Sequence, residues 1–171
     1  MPHHQIVARG IPLECLSTSP ILSIADLESN IGVELSCPSF LIDPDEAARF
    51  SRSTYLDQAY PESEFDSPYK DGLIEGFYLI SLMDALKKCT FRDASDYYGL
   101  NYGSNRLRFI EPIYLNDLLT FTCSVTSIQS KAQGFLVELR CQLKKHGTDR
   151  PAVDYSMIYF LLPAGTELEE D

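Results

Sequence analysis

The sequence contains little that would hold a metal ion or a disulfide framework. It has only three histidines, and its five cysteines are odd in number and scattered (Cys15, Cys37, Cys89, Cys123 and Cys141). No CxxC pair or Cys/His cluster occurs, which argues against a zinc site. We therefore expect no metal, no cofactor and a reduced, cytoplasmic setting.

Basic residues are also scarce, because 14 Lys and Arg stand against 25 Asp and Glu and the formal net charge is −11. Nucleic-acid binders normally present a basic face, so this class is excluded, and anionic membrane surfaces are disfavoured for the same reason. An anionic acyl-CoA is still compatible with the negative net charge as a ligand, since cations close to a binding site can outweigh the field of distant acidic residues. An acidic carrier protein would need a basic patch drawn from Lys70, Lys87, Lys88, Arg92, Arg106 and Arg108.

Long apolar runs are missing, and no stretch approaches the roughly 20 residues of a membrane helix. The start, MPHHQIVARGIPLECL, lacks a basic flank followed by an apolar segment, so we expect no signal peptide. The length of 171 residues suits one domain. We divide it into an N-terminal arm (1–24), the domain (25–163) and an acidic tail (164–171).

Three segments alternate apolar and polar residues with the period of a strand: 119–126, 135–143 and 153–161. Short polar turns containing Gly134 and Gly147 separate them. This spacing predicts an antiparallel meander with one buried face. A shorter strand from Arg106 to Ile110, ended by Glu111 and Pro112, is predicted before the meander.

Two helices are predicted ahead of this sheet. Asp43 can cap the first, Pro44 suits its first position and Glu46 stands where a capping-box carboxylate belongs, so this helix should run to about Tyr55. The second covers about 73–88 and is apolar on every side, which indicates a buried helix. Lys87 and Lys88 at its end favour the negative pole of the helix dipole.

A buried central helix with long antiparallel strands predicts an α+β fold of the hotdog kind, a single domain in which the sheet curls around the helix. Exposed strand edges in such a sheet need covering. We therefore expect a homodimer, or a heterodimer with another hotdog chain, whose substrate cleft lies near the interface.

The chain resembles the MaoC-like dehydratases and (R)-specific enoyl-CoA hydratases over about Ala25 to Pro163. The resemblance rests on the order and spacing of four stretches: ADLESNIGVEL, FLIDPDEAARFSRSTYLDQ, GLIEGFYLISLM and LNYGSNRLRFIEPIYLNDLLTFTCSV. It implies the hotdog fold and acid/base chemistry on an acyl thioester. It also implies that Arg108 is the family's strand-borne arginine, for which we expect a structural ion pair, for example at a subunit interface, rather than a catalytic role.

Members of this family carry an Asp followed five positions later by a catalytic His. Here the Asp position falls on Asp57 and the His position on Glu62. A second family His, before a glycine at the start of the central helix, falls on Glu75. None of the three histidines of the chain stands at either position. We predict that Asp57 and Glu62 form the acid/base pair, two carboxyl groups sharing one proton, unless a register shift brings Glu64 or Asp66 into the second place.

Further residues are expected around this pair. The main-chain N–H groups at Gly76, at a helix N-terminus, could polarise a thioester carbonyl, although tight packing would equally explain a glycine. Glu75 beside it either faces the cleft or simply favours the helix dipole. We expect Tyr60, Tyr78 and Asn101 to line the cleft.

The leading hypothesis is a hydro-lyase, or a related acid/base enzyme, acting on an acyl thioester or a polyketide-like biosynthetic intermediate. The first alternative is a non-catalytic hotdog subunit that binds acyl chains or pairs with a catalytic partner, because the family histidines are missing. A hotdog thioesterase, a biosynthetic cyclase or an isomerase is a lesser alternative.

Overall fold

The computed structural model describes residues 8–61 and 68–166. Short elements occupy the N-terminal third, and long strands follow one long helix. The helices are α1 (Cys15–Thr18), α2 (Ile24–Ser29), α3 (Pro44–Ser53), α4 (Leu56–Ala59) and α5 (Gly76–Thr90). The strands are β1 (Ala8–Arg9), β2 (Ile21–Leu22), β3 (Glu34–Ser36), β4 (Phe40–Leu41), β5 (Arg92–Asp93), β6 (Tyr97–Phe109), β7 (Leu119–Lys131), β8 (Gly134–Lys145) and β9 (Pro151–Pro163).

The main sheet has the order β1-β4-β7-β8-β9-β6, and β3 also pairs with β7. The β7–β8 and β8–β9 pairs are antiparallel and place Cys123 opposite Cys141, and Val137 opposite Tyr159. The predicted meander is therefore confirmed. Its inward side chains, such as Phe121 and Leu139, share one buried core with side chains of α5, which gives the predicted helix-on-sheet core.

The strand predicted from Arg106 to Ile110 is much longer, because β6 begins at Tyr97. Register shifts between Asn101 and Gly103, and again before Arg106, interrupt its alternation. Most of its side chains are also exposed, so β6 lacks the regular apolar face that reveals a strand in a sequence.

Helix α5 begins at Gly76, three residues later than predicted, because the preceding segment is held in extended form. Leu73 forms a β-bridge with Tyr114, and the Ile74 N–H donates to the Ile113 carbonyl at 2.9 Å. The helix is not buried on every side either, since Phe77 is 71% exposed. The apolar residues of this helix thus serve both a core and a surface.

The predicted start of α3 is confirmed. Asp43 is the N-cap, its carboxylate accepts from the Asp45 N–H at 2.9 Å, and Pro44 is the first helical residue. Glu46 forms no capping box, because its carboxylate binds Arg49 at 2.8 Å instead. The helix ends at Ser53, close to the predicted end.

The described residues before α2 pack onto the domain. β1 pairs in parallel with β4, β2 pairs with β5, and Cys15 of α1 is buried. Within the described residues, no helix combines the length and apolar character needed to cross a membrane.

Candidate active site

Two adjoining cavities lie where α3, α4 and the start of α5 meet. The Tyr78 cavity has a volume of about 360 Å³, and the Tyr60 cavity about 650 Å³, both within the usual range for small-molecule sites. Both cavities are lined by Ser51, Asp57 and Glu75. These three residues therefore mark the junction between the cavities.

Asp57 reaches this junction because the chain turns sharply after α3. Tyr55 adopts a left-handed backbone conformation, with φ 59°, and serves as the N-cap of the short helix α4. Asp57 lies in the first turn of α4, where a carboxylate is favoured by the exposed main-chain N–H groups. Its carboxyl group is solvent-exposed and borders both cavities.

Glu75 is the N-cap residue of α5, yet its side chain makes no capping hydrogen bond. Its carbonyl oxygen accepts from the Leu79 N–H at 3.2 Å, which starts the helix. The carboxylate oxygen Oε2 is buried and has no hydrogen-bond partner among the described residues. An oxygen of this kind is costly for a fold to maintain.

Gly76 lines the Tyr60 cavity and carries the Phe109 ring against its backbone. A Cβ at position 76 would lie 2.7 Å from the nearest atom of that ring. This close approach explains why a glycine stands here without any reference to a ligand. The oxyanion role of the Gly76 main chain therefore stays a proposal.

The two predicted tyrosines lie on different walls. Tyr60 lines the larger cavity and is mostly exposed. Tyr78 lines the smaller one, half-buried, with its ring edge-on to Phe50 at a centroid distance of 5.4 Å. Burial raises the pKa of Tyr78, and Glu46 and Asp43 nearby raise it further, so its hydroxyl is a proton donor at neutral pH.

Asn101 is not brought to these cavities. It lies on β6, and its side-chain amide donates to Asp84 at 3.0 Å. Glu62, together with the alternative positions Glu64 and Asp66, lies outside the described residues. The structure thus brings Asp57 and Glu75 to the junction, with Tyr60 and Gly76 on the wall of the larger cavity and Tyr78 on the wall of the smaller one.

Sequence reasoning missed the contribution of α3 to the site. Ala47, Ala48, Ser51 and Arg52 all line the Tyr78 cavity. They recur at the three- and four-residue spacing of one helix face, and three of them are small, which leaves room for the cavity. Arg52 is the one cation among the described residues that line the two cavities.

Several cations proposed for carrier docking are engaged elsewhere. Lys87 is buried, and its ammonium binds Asp93 at 2.8 Å. Lys88 also pairs with Asp93, and Arg92 donates to the Ser19 carbonyl at 3.0 Å. The Arg108 guanidinium donates to the Leu107 carbonyl at 2.8 Å within this chain, and the ion pair expected for Arg108 stays a prediction.

Comparison with known proteins places this geometry in a known fold. No protein-family profile matches the chain. Nodulation protein N of Rhizobium leguminosarum bv. viciae is 27% identical over 146 residues, which cover 80% of this chain and 89% of that protein.

Three solved structures superpose on most of the chain. A monoamine oxidase regulatory protein from Archaeoglobus fulgidus has a TM-score of 0.66 at 13% identity, covering 92% of this chain and 98% of the other. A MaoC-like dehydratase from Rhodospirillum rubrum has a TM-score of 0.61 at 13% identity, covering 85% of this chain and 99% of the other. The (R)-hydratase of A. caviae involved in PHA biosynthesis has a TM-score of 0.55 at 18% identity, covering 75% of this chain and 94% of the other. The hotdog fold of MaoC-like dehydratases and (R)-hydratases is thereby confirmed for this chain.

Proposed function

We propose that this protein is a MaoC-like hydro-lyase that adds water to, or removes it from, an acyl thioester or a polyketide-like intermediate. The observation that carries the proposal is the junction of the two cavities, where Asp57 and Glu75 meet apolar walls and the N-terminus of α5. This is the part of the chain in which the family resemblance places acid/base chemistry.

Dehydration of a 3-hydroxyacyl thioester requires two proton transfers. A carboxylate removes the proton from C2, the C2–C3 double bond forms, and the C3–O bond breaks as an acid protonates the departing hydroxyl, which leaves as water. Asp57 supplies one of these groups in our proposal. Glu62, at the family His position, is the candidate for the second group that the sequence provides.

The carbonyl of the thioester needs a donor as charge develops on it. The proposal gives this role to the main-chain N–H groups at the start of α5, next to Gly76. Tyr78, whose hydroxyl holds its proton at neutral pH because burial raises its pKa, is a further donor on the wall of the smaller cavity.

The test is a panel of trans-2-enoyl-CoA and 3-hydroxyacyl-CoA thioesters of increasing chain length, with enoyl absorbance as the readout. Asp57→Asn should lower kcat/KM by about 10²- to 10⁴-fold, the usual contribution of a general acid or base. Glu28→Gln is the matched control, since Glu28 is an exposed residue of α2 that lines neither cavity. Equal rates for the wild type and Asp57→Asn would refute the assignment, and release of free CoA thiol would indicate a thioesterase instead.

We also propose that the protein is a dimer that pairs along β6. This strand bonds to β9 on one side and to no described strand on the other. Four large side chains of β6 are exposed: Tyr98, Leu100, Tyr102 and Phe109. Such an edge is a site for strand pairing unless it is covered, and Phe109 connects it to Gly76.

Light scattering after size-exclusion chromatography tests this assembly. We expect about twice the 19.3 kDa chain mass, and Leu100→Asp should shift the protein toward the monomer. A wild-type monomer would overturn the proposal. Co-purification of a second hotdog chain carrying an intact Asp/His pair, with no activity in the homodimer, would favour the alternative of a non-catalytic subunit.

A further inference from the structure

We infer that Glu75, rather than Glu62, is the second acid/base group and works opposite Asp57 at the cavity junction. This inference rests on the proposed hydro-lyase function. It starts from one oxygen atom, Oε2 of Glu75, which is buried and without a hydrogen-bond partner among the described residues.

Glu75 makes none of the hydrogen bonds that would give its side chain a capping role at the start of α5. Ser, Thr, Asp and Asn are favoured at N-caps because their short side chains reach the free N–H groups of the first turn. Glu75 occupies the N-cap of α5 but makes no such bond. The residue borders both cavities. We attribute this unpaired oxygen to a role of Glu75 toward a ligand in the cavities.

Glu75 and Asp57 reach the junction from different helices. Glu75 comes from the start of α5 and Asp57 from the first turn of α4, and both line each cavity. A substrate that extends through both cavities must pass these two carboxyl groups at the junction. Its acyl chain would occupy the Tyr78 cavity, whose walls include Ala47, Ile74 and Leu115. The larger Tyr60 cavity would hold the thioester arm.

This placement puts C2 and C3 of the acyl group beside the two carboxyl groups. In dehydration, the ionised carboxyl group accepts the C2 proton, the C2–C3 double bond forms, and the protonated one gives its proton to the C3 hydroxyl, which departs as water. The two groups have then exchanged protonation states, and exchange with water restores them. Hydration follows the same path in reverse.

A carboxyl group kept for catalysis should cost stability, whereas one kept for structure should supply it. Replacing Glu75 by glutamine keeps the shape of the side chain and removes its negative charge. The catalytic assignment therefore predicts that Glu75→Gln loses activity while its thermal midpoint stays equal to that of the wild type or rises.

The experiment measures kcat, KM and thermal midpoint for the wild type, Glu75→Gln, Glu62→Gln and the control Glu28→Gln, with trans-2-butenoyl-CoA as the probe. We expect Glu75→Gln to lower kcat at least about 100-fold with little change in KM, and to lose one limb of the pH–rate profile. Glu62→Gln and Glu28→Gln should stay within threefold of the wild type.

Each other result overturns the inference in a recognisable way. An active wild type with Glu75→Gln within threefold of it removes Glu75 from the chemistry but leaves the hydro-lyase function standing. A large loss in Glu62→Gln alone returns the role to Glu62. A Glu75→Gln protein with a clearly lowered thermal midpoint assigns Glu75 a structural role. A wild type inactive on the whole thioester panel refutes the proposed function and the inference together.

Discussion

Asp93 is the residue whose replacement should most clearly disturb the packing of α5. Its carboxylate binds the buried ammonium of Lys87 at 2.8 Å and accepts from the Tyr97 hydroxyl at 3.0 Å. The Lys87 side chain is only 5% exposed, against 21% for Asp93. Asp93→Asn therefore removes the carboxylate that pairs directly with the buried Lys87 ammonium, and leaves Asp84 as a nearby acidic group that favours the charged form.

The expected loss in the free energy of unfolding is about 3 kcal/mol, at the low end of the 3–5 kcal/mol range for a broken buried pair. The low end applies because Asp93 is partly hydrated. Lys87→Met should cost less, about 1 kcal/mol, since Asp93 keeps Lys88 and the methionine can fill the space between the Phe91 and Tyr159 rings.

The dependence on pH gives this prediction its sign. Burial lowers the pKa of Lys87 from its usual 10.5, so the unfolded chain binds more protons than the folded chain between the two pKa values. The contribution of this group to stability therefore increases as pH rises through that window. Without Asp93 the pKa of Lys87 in the folded protein falls further. The stability of Asp93→Asn should therefore begin to rise at a lower pH than that of the wild type, and the difference between the two free energies of unfolding should shrink from that pH upward.

Urea denaturation at several pH values measures these free energies, provided that the slope with denaturant is unchanged. The double variant Lys87→Met/Asp93→Asn should be more stable than Asp93→Asn alone, because no buried charge remains in it. A loss below 1 kcal/mol for Asp93→Asn, or simple additivity of the two changes, would refute the reasoning.

Three further predictions concern the sheet. Gly134→Ala should lower the free energy of unfolding by about 2 kcal/mol, because a Cβ there would overlap a main-chain carbonyl of β9. Gly103→Ala is the control and should change stability by nothing measurable, since a Cβ there meets nothing within 4 Å. Equal thermal midpoints for the two variants would contradict this. Thr122→Val should raise the free energy of unfolding by about 1 kcal/mol, since the buried Thr122 hydroxyl has no partner among the described residues, and a lower denaturation midpoint would show that it has one. Tyr159→Phe should cost about 2 kcal/mol, because it removes the hydroxyl that donates to Asp84, and an unchanged urea midpoint would count against that bond.

The parts of the fold that were predictable are those whose pattern is local. Parts of β7, β8 and β9 alternate apolar and polar residues because one face of the sheet contributes to the core, and Asp43 with Pro44 signals the start of α3 through short-range contacts alone. Much of β6 escaped prediction because bulges break its period. Lys87 was read as a surface cation because its burial depends on tertiary packing, in which Tyr159 of β9 joins the nearby Phe91 and Asp93 around the ammonium.

Only some residues of the candidate site could likewise be predicted from the sequence. Asp57, Glu75 and Gly76 could be named because a family resemblance marks their positions, but position alone does not say what a substituted side chain does there. Ser51 and Arg52 could not be named, since only the packing of α3 against the start of α5 turns them into cavity walls. The resemblance marks Glu62 and Glu75 alike as positions where a glutamate replaces a family histidine. Burial adds information that the motif lacks, because the structure shows that Glu75 has a buried carboxylate oxygen without a partner among the described residues. That oxygen is a physical cost, and a cost retained at a cavity junction is the reason to look for the chemistry at Glu75 first.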